Sequence, residues 1–284
     1  MQHANKAHAP YPQIVADLLT NLRQTSPLVH CITNYVSMDI MANCLLAMGA
    51  LPAMAHAREE VIDFLSLANS LSINIGTLST PWIESMLLAS EAANKSHKPW
   101  VLDPVGCGAT TLRTNTTLSL LAQKPSILRG NASEIMAIGG YAKPKGVDAI
   151  NSISECPYIA HEIAIKYQIV VAVTGEVDFV TDGQRTVHIH HGHPLMTKVT
   201  AIGCSLSSAI AALAALTNDP FEAAVAGITF FGICGERAAG QYADPGSFRV
   251  AFIDQLHSLS AHDVFTDAKI FEPQAYSLEF SQIS

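Results

Sequence analysis

Hydrophobic positions along this chain alternate between two periodicities. Over residues 11–24 (YPQIVADLLTNLRQ) they have helical spacing, and residues 27–32 (PLVHCI) then read as a short strand. Residues 36–48 (VSMDIMANCLLAM) form an amphipathic helix, with Gly49 placed to cap it in the left-handed conformation. The exchange continues with a strand-like LPAMA at 51–55, a helix over 58–69 opened by Arg58-Glu59-Glu60, a strand at 71–77 (LSINIGT) and a helix begun by Pro81. WVLDPV (100–105) is a buried strand that stops at a carboxylate and a proline, and SILRG (126–130) is another, followed by a helix from Asn131. The β-branched run IVVAVTG (169–175) is a strand ending in Thr-Gly. Residues 177–190 read as a hairpin turning at Asp182-Gly183, and helices follow at 204–217, 220–240 and near 247–260.

Strands separated by helices predict an α/β fold: a three-layer α-β-α arrangement around a central, mostly parallel sheet. The strands are apolar throughout rather than alternating, as expected when both faces are covered. In such folds ligands bind beyond the carboxyl ends of the strands. The residues just after each strand therefore carry the functional question.

Composition narrows the classes. Of 284 residues 49% are hydrophobic and 14% charged, enough apolar material for a large core. No Pro/Ser-rich linker or charge run divides the chain, so residues 1–284 are expected to form a single domain, with 1–10 a flexible tail. That tail lacks the apolar core of a signal peptide, and no stretch reads as a membrane span. The formal net charge is -8 with only 16 Lys plus Arg and no basic stripe, which argues against nucleic acid and membrane as partners. The six cysteines are scattered without paired spacing, as reduced thiols of a cytoplasmic protein would be.

Several strand ends carry candidate chemistry. In DPVGCGAT (103–110) Asp103 can hold Mg²⁺, a cation that takes oxygen ligands; the plainer alternative is a turn in which it bonds backbone amides. In NASE (131–134) Asn131 and Glu134 have the spacing of a capping box, compatible with Glu134 lying near a Mg²⁺-bound water beside phosphates. Arg129 either meets a nucleotide phosphate or lies on the surface. Thr174-Gly175 suits a phosphate contact or an ordinary strand ending. TAIGC (200–204) places backbone amides at a helix start, an anion hole, with Cys204 at a position where the helix dipole is expected to lower a thiol pKa. No Walker A pattern occurs, and no GxGxxG follows a first strand. HIHHGHP (188–194) holds several histidines, His188 to His193, without the partner spacing of a structural zinc site.

The segments VHCITNYVSMDIMANCLLAMGALPAMAHAREEV (29–61), VLDPVGCGAT, ILRGNASEI, VAVTGEVDFVTDG and KVTAIGCSLS, in that order, resemble the hydroxyethylthiazole kinase family of thiamine salvage, within the ribokinase-like superfamily. The resemblance runs from residue 12 to residue 260. It implies transfer of the γ-phosphate of ATP to the primary alcohol of methyl-hydroxyethyl-thiazole with Mg²⁺, by a homotrimer with active sites at subunit interfaces. It further implies that Met54 (through its backbone amide), Asn34 and Ala201 contact the thiazole substrate, and that Arg129, Thr174 and Gly175 contact ATP. Asp103 and Glu134 sit by Mg²⁺, and Cys204, behind Gly203, is the catalytic cysteine. The family usually shows Gly-Thr-Gly-Cys where this chain has Ala201-Ile202-Gly203-Cys204. An alanine at position 201 is strained if φ is positive there, and Ile202 removes a hydroxyl donor.

In a loose phosphoryl-transfer transition state the proton leaves late, so positioning and charge stabilisation dominate. Cys204 is then a weak general base or an orienting partner, contributing on the order of 10²-fold or less. The competing readings are a sister kinase of a pyrimidine or pyridine alcohol, a thiol hydrolase using His191 or His193 as base, and a non-catalytic thiazole-binding homologue.

Overall fold

A computed structural model describes residues 11–141 and 148–272. The expected N-terminal tail, 1–10, lies outside the described residues. Six strands run parallel: β1 (Leu28–Ile32), β2 (Leu51–Ala53), β3 (Ser70–Asn74), β4 (Trp100–Asp103), β5 (Ile127–Asn131) and β6 (Val170–Thr174). Three more, β7 (Asp178–Thr181), β8 (Thr186–Ile189) and β9 (Ile270–Phe271), continue the sheet antiparallel. The spatial order is β2-β1-β3-β4-β5-β6-β7-β8-β9. The expected mostly parallel sheet and the hairpin at Asp182-Gly183 are both present.

The two-residue period of a strand sends neighbouring side chains to opposite faces, and each face has its own core. Val101, Val170 and Ala172 pack against α1 (Tyr11–Thr25), α2 (Met38–Met48), α8 (Ile202–Ala214), α9 (Pro220–Gln241), α10 (Pro245–Ser258) and α11 (Ala261–Asp267). Trp100, Leu102, Val171 and Val173 pack against α3 (Val61–Leu67), α4 (Thr80–Lys95), α5 (Thr111–Leu121), α6 (Ala132–Ile138) and α7 (Asp148–Tyr167). Gly49 ends α2 in the left-handed conformation, as expected.

The structure corrects the sequence pattern in several places. The strands expected at 51–55, 71–77 and 100–105 end at Ala53, Asn74 and Asp103, which frees the residues beyond them for loops at the carboxyl edge. The helix expected at 58–69 begins only at Val61, and α8 starts at Ile202, ahead of the expected 204. The pattern predicts neither α5 nor α7. The first, TLRTNTTLSLL, is rich in Thr and Asn, weak helix formers; the second carries Pro157 in its interior. Both are held by packing rather than by propensity.

Candidate active site

The carboxyl ends of β3, β4, β5 and β6 converge on the N-terminus of α8. That helix begins in an unusual way. Its N-cap, Ala201, has φ 65° and ψ 9°, the left-handed region, and no side chain caps the helix. Its carbonyl accepts from both the amide and the hydroxyl of Ser205, each at 2.9 Å. Among the described residues four other non-glycine residues share a positive φ (Ser26, His97, Lys124 and Gln168), but those follow helix C-termini, where the conformation is common. At position 201 it turns the chain so that the free amides of Ile202, Gly203 and Cys204 open toward the strand ends. The conditional expectation about Ala201 is thereby met: the position requires φ > 0, and alanine holds it at a strain of about 1–2 kcal/mol.

Arg129 lies against this turn. A Cβ on Gly203 would stand 2.9 Å from its Nη1 and 3.2 Å from its Nη2, so a side chain there would push the guanidinium from its present place. Arg129 Nη2 donates to Thr174 Oγ1 at 2.6 Å, and Nη1 is 3.9 Å from Asp103 Oδ2. Its Nε is buried without a partner. Arg129 is thus an interior residue of the site, not a surface cation.

Asp103 ends β4 fully buried. Oδ2 accepts from Asn74 Nδ2 at 2.7 Å and from Ser207 Oγ at 2.9 Å, while Oδ1 is buried with no partner. These partners are side chains, so the plainer alternative, a turn closed on backbone amides, does not hold. Burial pushes the Asp103 carboxyl up to about 7; Arg129 opposes the shift and the Glu134 charge adds to it. Glu134 and Asn131 form the expected capping box, with Glu134 N to Asn131 Oδ1 at 3.0 Å and Asn131 N to Glu134 Oε2 at 2.9 Å. The other carboxylate oxygen accepts from Gly106 N at 2.9 Å, which ties α6 to the loop after Asp103.

A cavity of about 760 Å³ opens beside this cluster. Arg129, Thr174, Gly175 and Gly203 line its polar end, and Ile202, Leu206, Ile228 and Phe231 form an apolar wall. Gly175 carries no free amide here: it donates to Asp178 Oδ1 at 3.0 Å. Burial pushes the Asp178 carboxyl up to about 7. Of the histidine run, His191 is buried in the cavity wall. Its Nδ1 lies 3.1 Å from Glu236 Oε1 and its Nε2 accepts from Lys269 N at 2.9 Å. Both ring nitrogens are occupied, so His191 is not a free base for a hydrolase.

On the other side of Cys204 the polar groups are neutral. Asn34 Oδ1 accepts from Ser37 N at 3.0 Å, and its Nδ2 donates to Asn74 Oδ1 at 2.7 Å and to Cys204 Sγ at 3.5 Å. Met54 follows β2, half-buried, and two histidines staple its segment to β1. His30 Nε2 is 2.7 Å from the Ala55 carbonyl, and His56 Nε2 accepts from Thr33 N at 3.2 Å. The His56 ring also stacks on Trp82 at 4.3 Å.

Cys204 requires a correction. The helix dipole was expected to lower its pKa. Burial instead pushes the thiol up to about 11, with the nearby Asp103 carboxylate adding to the shift. Desolvation and a like charge outweigh the lowering influences of Asn34, Asn74 and Arg129.

Asn74, Ser207 and Asp178 have no counterpart in the sequence expectations. Each carried a weak signal: a polar residue at the end of an apolar strand, a hydroxyl one turn past Gly203, and an acid three residues after Gly175. Among the described residues no group of three or more His, Cys, Asp or Glu is arranged to hold a metal. The bare, buried Oδ1 of Asp103 fits instead an ion that takes most of its ligands from phosphates and water, as Mg²⁺ does.

A mostly parallel sheet with helices on both faces, an amide turn, a buried carboxylate and an arginine at its carboxyl edge is a ribokinase-like α/β architecture. Pyridoxal kinase from Staphylococcus aureus in complex with pyridoxal shares the fold, with a TM-score of 0.58, 16% identity, and coverage of 87% of this chain and 99% of that one. The hydroxyethylthiazole kinase family model matches residues 19–262. The hydroxyethylthiazole kinase of Cereibacter sphaeroides is 49% identical over 253 residues, covering 89% of this chain and 96% of the relative. That of Rhizobium johnstonii is 51% identical over 255 residues, with 89% and 96% covered. The structure of the hydroxyethylthiazole kinase protein from Pyrococcus horikoshii superposes with a TM-score of 0.86 at 40% identity, covering 92% of this chain and all of that one. The chain belongs to the hydroxyethylthiazole kinase family; it is an enzyme, a kinase with ATP as co-substrate. Among the described residues no helix is long and apolar enough to cross a membrane.

Proposed function

We propose that this enzyme transfers the γ-phosphate of ATP to the hydroxyl of hydroxyethylthiazole in thiamine salvage, acting as one kinase domain. The observation that carries the division of labour is the convergence of Arg129, Asp103 and Cys204 on the amide turn of α8. ATP occupies the cavity beside Arg129 and Thr174. The thiazole alcohol lies on the Asn34 and Met54 side, with Cys204 between the two. The amides of Ile202, Gly203 and Cys204 and the Arg129 guanidinium meet the charge on the transferring phosphoryl group.

Asp103, through its bare Oδ1, and Glu134, through a water, would hold Mg²⁺, which when bound neutralises phosphate charge. With its pKa raised to about 11, Cys204 is a thiol at neutral pH. It accepts the Asn34 amide proton and orients the alcohol, rather than acting as a thiolate base. A homotrimer with interfacial sites is supported by the open sheet edge at β2, where Leu51 is exposed three residues before Met54, and by the exposed apolar side chains of Tyr35, Val36 and Leu46 between β1 and β2 in the chain. A cytoplasmic location is supported by six unpaired cysteines.

The test is ADP release with the thiazole alcohol against pyrimidine and pyridine alcohols. Preference for either of the latter, or tight thiazole binding without ADP, sinks the reading. Cys204→Ala is expected to lower kcat by about tenfold to a hundredfold. An unchanged kcat removes Cys204 from the reaction, and a Cys204→Asp variant as active as wild type favours a base over an orienting group.

A further inference from the structure

We propose that Asn74 is a positioning residue that yokes the phosphate-side carboxylate, Asp103, to the alcohol-side pair, Asn34 and Cys204. The inference rests on the kinase reading above. Asn74 closes β3 and sits beside Asp103 in the parallel register with β4. Its side chain is fully buried, and an unpaired amide there would be strongly unfavourable.

The partners determine its orientation. One end of the amide faces two donors, Asn34 Nδ2 at 2.7 Å and Gly76 N at 2.9 Å; the other faces Asp103 Oδ2 at 2.7 Å. Only the oxygen suits the first end and only the NH₂ suits the second, so the amide has one allowed flip. The consequence runs both ways. Toward the phosphates, Asn74 and Ser207 hold Oδ2 of Asp103 and leave Oδ1 as the free oxygen. Toward the alcohol, Asn74 fixes the Asn34 amide, whose oxygen is already engaged by Ser37 N, so that its remaining N–H reaches Cys204 Sγ.

The backbone around Asn74 is shaped to the same end. A Cβ on Gly76 would stand 2.7 Å from Asn34 Nδ2 and 2.8 Å from its Cγ, so glycine leaves the space that Asn34 fills. Arg113 clasps the two loops by donating to Ile75 O at 2.9 Å, Gly76 O at 2.6 Å and Val105 O at 2.6 Å. Asn34 and Ser207 touch opposite sides of this network, and the chain of short side-chain hydrogen bonds between them, each under 3 Å, runs through the Asn74–Asp103 link; the longer Asn34–Cys204 contact, 3.5 Å, reaches α8 by a second route.

A purely structural Asn74 would lower the melting temperature and leave the kinetic constants of the folded fraction alone. A yoke moves two constants at once. Asn74→Ala is expected to raise KM for the thiazole alcohol and to lower kcat, each by roughly tenfold or more, the scale of a misplacement of about 1 Å. Ser207→Ala, which removes the 2.9 Å bond to the carboxylate and a longer 3.5 Å contact with Gly203 O and nothing on the alcohol side, should lower kcat and leave that KM within about twofold. The proposal is overturned if Asn74→Ala shifts only one constant, or neither.

Should Asn74→Ala not fold, a double-mutant cycle keeps the native Asn74. Asn34→Ala and Ser207→Ala should be non-additive in kcat/KM by about threefold or more, and additivity within about twofold overturns the yoke. Wild type inactive toward the thiazole alcohol sinks the kinase reading. An active wild type with additive variants sinks only the yoke.

Discussion

The two halves of the site solve different problems with different chemistry. On the side proposed for the nucleotide, Arg129 stands in β5, and the ionisable carboxyls of Asp103, Glu134 and Asp178 stand at the end of β4, in the first turn of α6 and at the start of β7. On the alcohol side, Asn34, Asn74 and Cys204 are neutral amides and a thiol. The negative charge of a triphosphate is opposed directly by Arg129 and the amide turn, whereas the carboxyls can serve it only through a cation they hold. A small alcohol brings no charge, and an ion buried beside it would face a large desolvation penalty. The contrast groups Cys204 with the neutral half: it touches the Asn34 amide, and its raised pKa keeps it uncharged, which suits the alcohol proposed to lie there.

That division can be broken by substitution. The largest effect is expected from Gly203→Ala, which drives a methyl into the Arg129 guanidinium held by Thr174 and Asp103. We expect turnover to fall by about a hundredfold and KM for ATP to rise, with KM for the alcohol little changed. Equal shifts in both KM values would show that the two halves are not separable at this turn.

Asp178→Asn sharpens the comparison through pH. The buried Asp178 carboxyl sits at about 7, above its usual 3.8. A raised folded pKa means that its stabilising contribution is complete below the unfolded value and is lost as pH rises through about 7. Wild-type melting temperature should therefore carry a falling component between about pH 4 and pH 7. Asparagine keeps the acceptor for Gly175 N and removes the titration, so the variant's profile should be flatter across that window. Identical slopes would place the Asp178 carboxyl in a solvated setting.

The smallest effect is expected from Ala201→Gly. Relief of the left-handed alanine gives about 1–2 kcal/mol, offset by about 0.4–1 kcal/mol from the freer unfolded chain. A net gain near 1 kcal/mol would raise the melting temperature by about 2 °C. A fall instead would mean that the Ala201 methyl, which packs against the core, contributes more than the strain removes.

What the chain reveals without coordinates is local. The capping box of Asn131 and Glu134, the cap at Gly49 and the hairpin at Asp182-Gly183 depend on residues a few positions apart, and all three are present. The ends of β4 and β6 were legible because apolar runs stop at Asp103 and at Thr174. The rest required three dimensions. Asn74 is read only through Asp103 and Asn34, and Ser207 only through a carboxylate 104 positions away. The Cys204 pKa moved opposite to expectation because a helix dipole is visible in a sequence, whereas burial against Asp103 is not.

The contact between Asn34 and Cys204 spans 170 positions, and the one between His191 and Lys269 spans 78. Synthesis from the N-terminus therefore delivers the parts of this enzyme in a particular order. All eight strands through β8 leave the ribosome before the amide turn at 201–204 does, and the wall beside His191 is complete only once β9 has paired with β8. A growing chain thus holds its strands before it holds either the helices α8 to α11 that help to cover one face of them or the turn that meets a phosphate. The site that grips a phosphate is therefore assembled late relative to the strands, after residues 201–204 have followed β8 and residues 270–271 have closed the sheet edge.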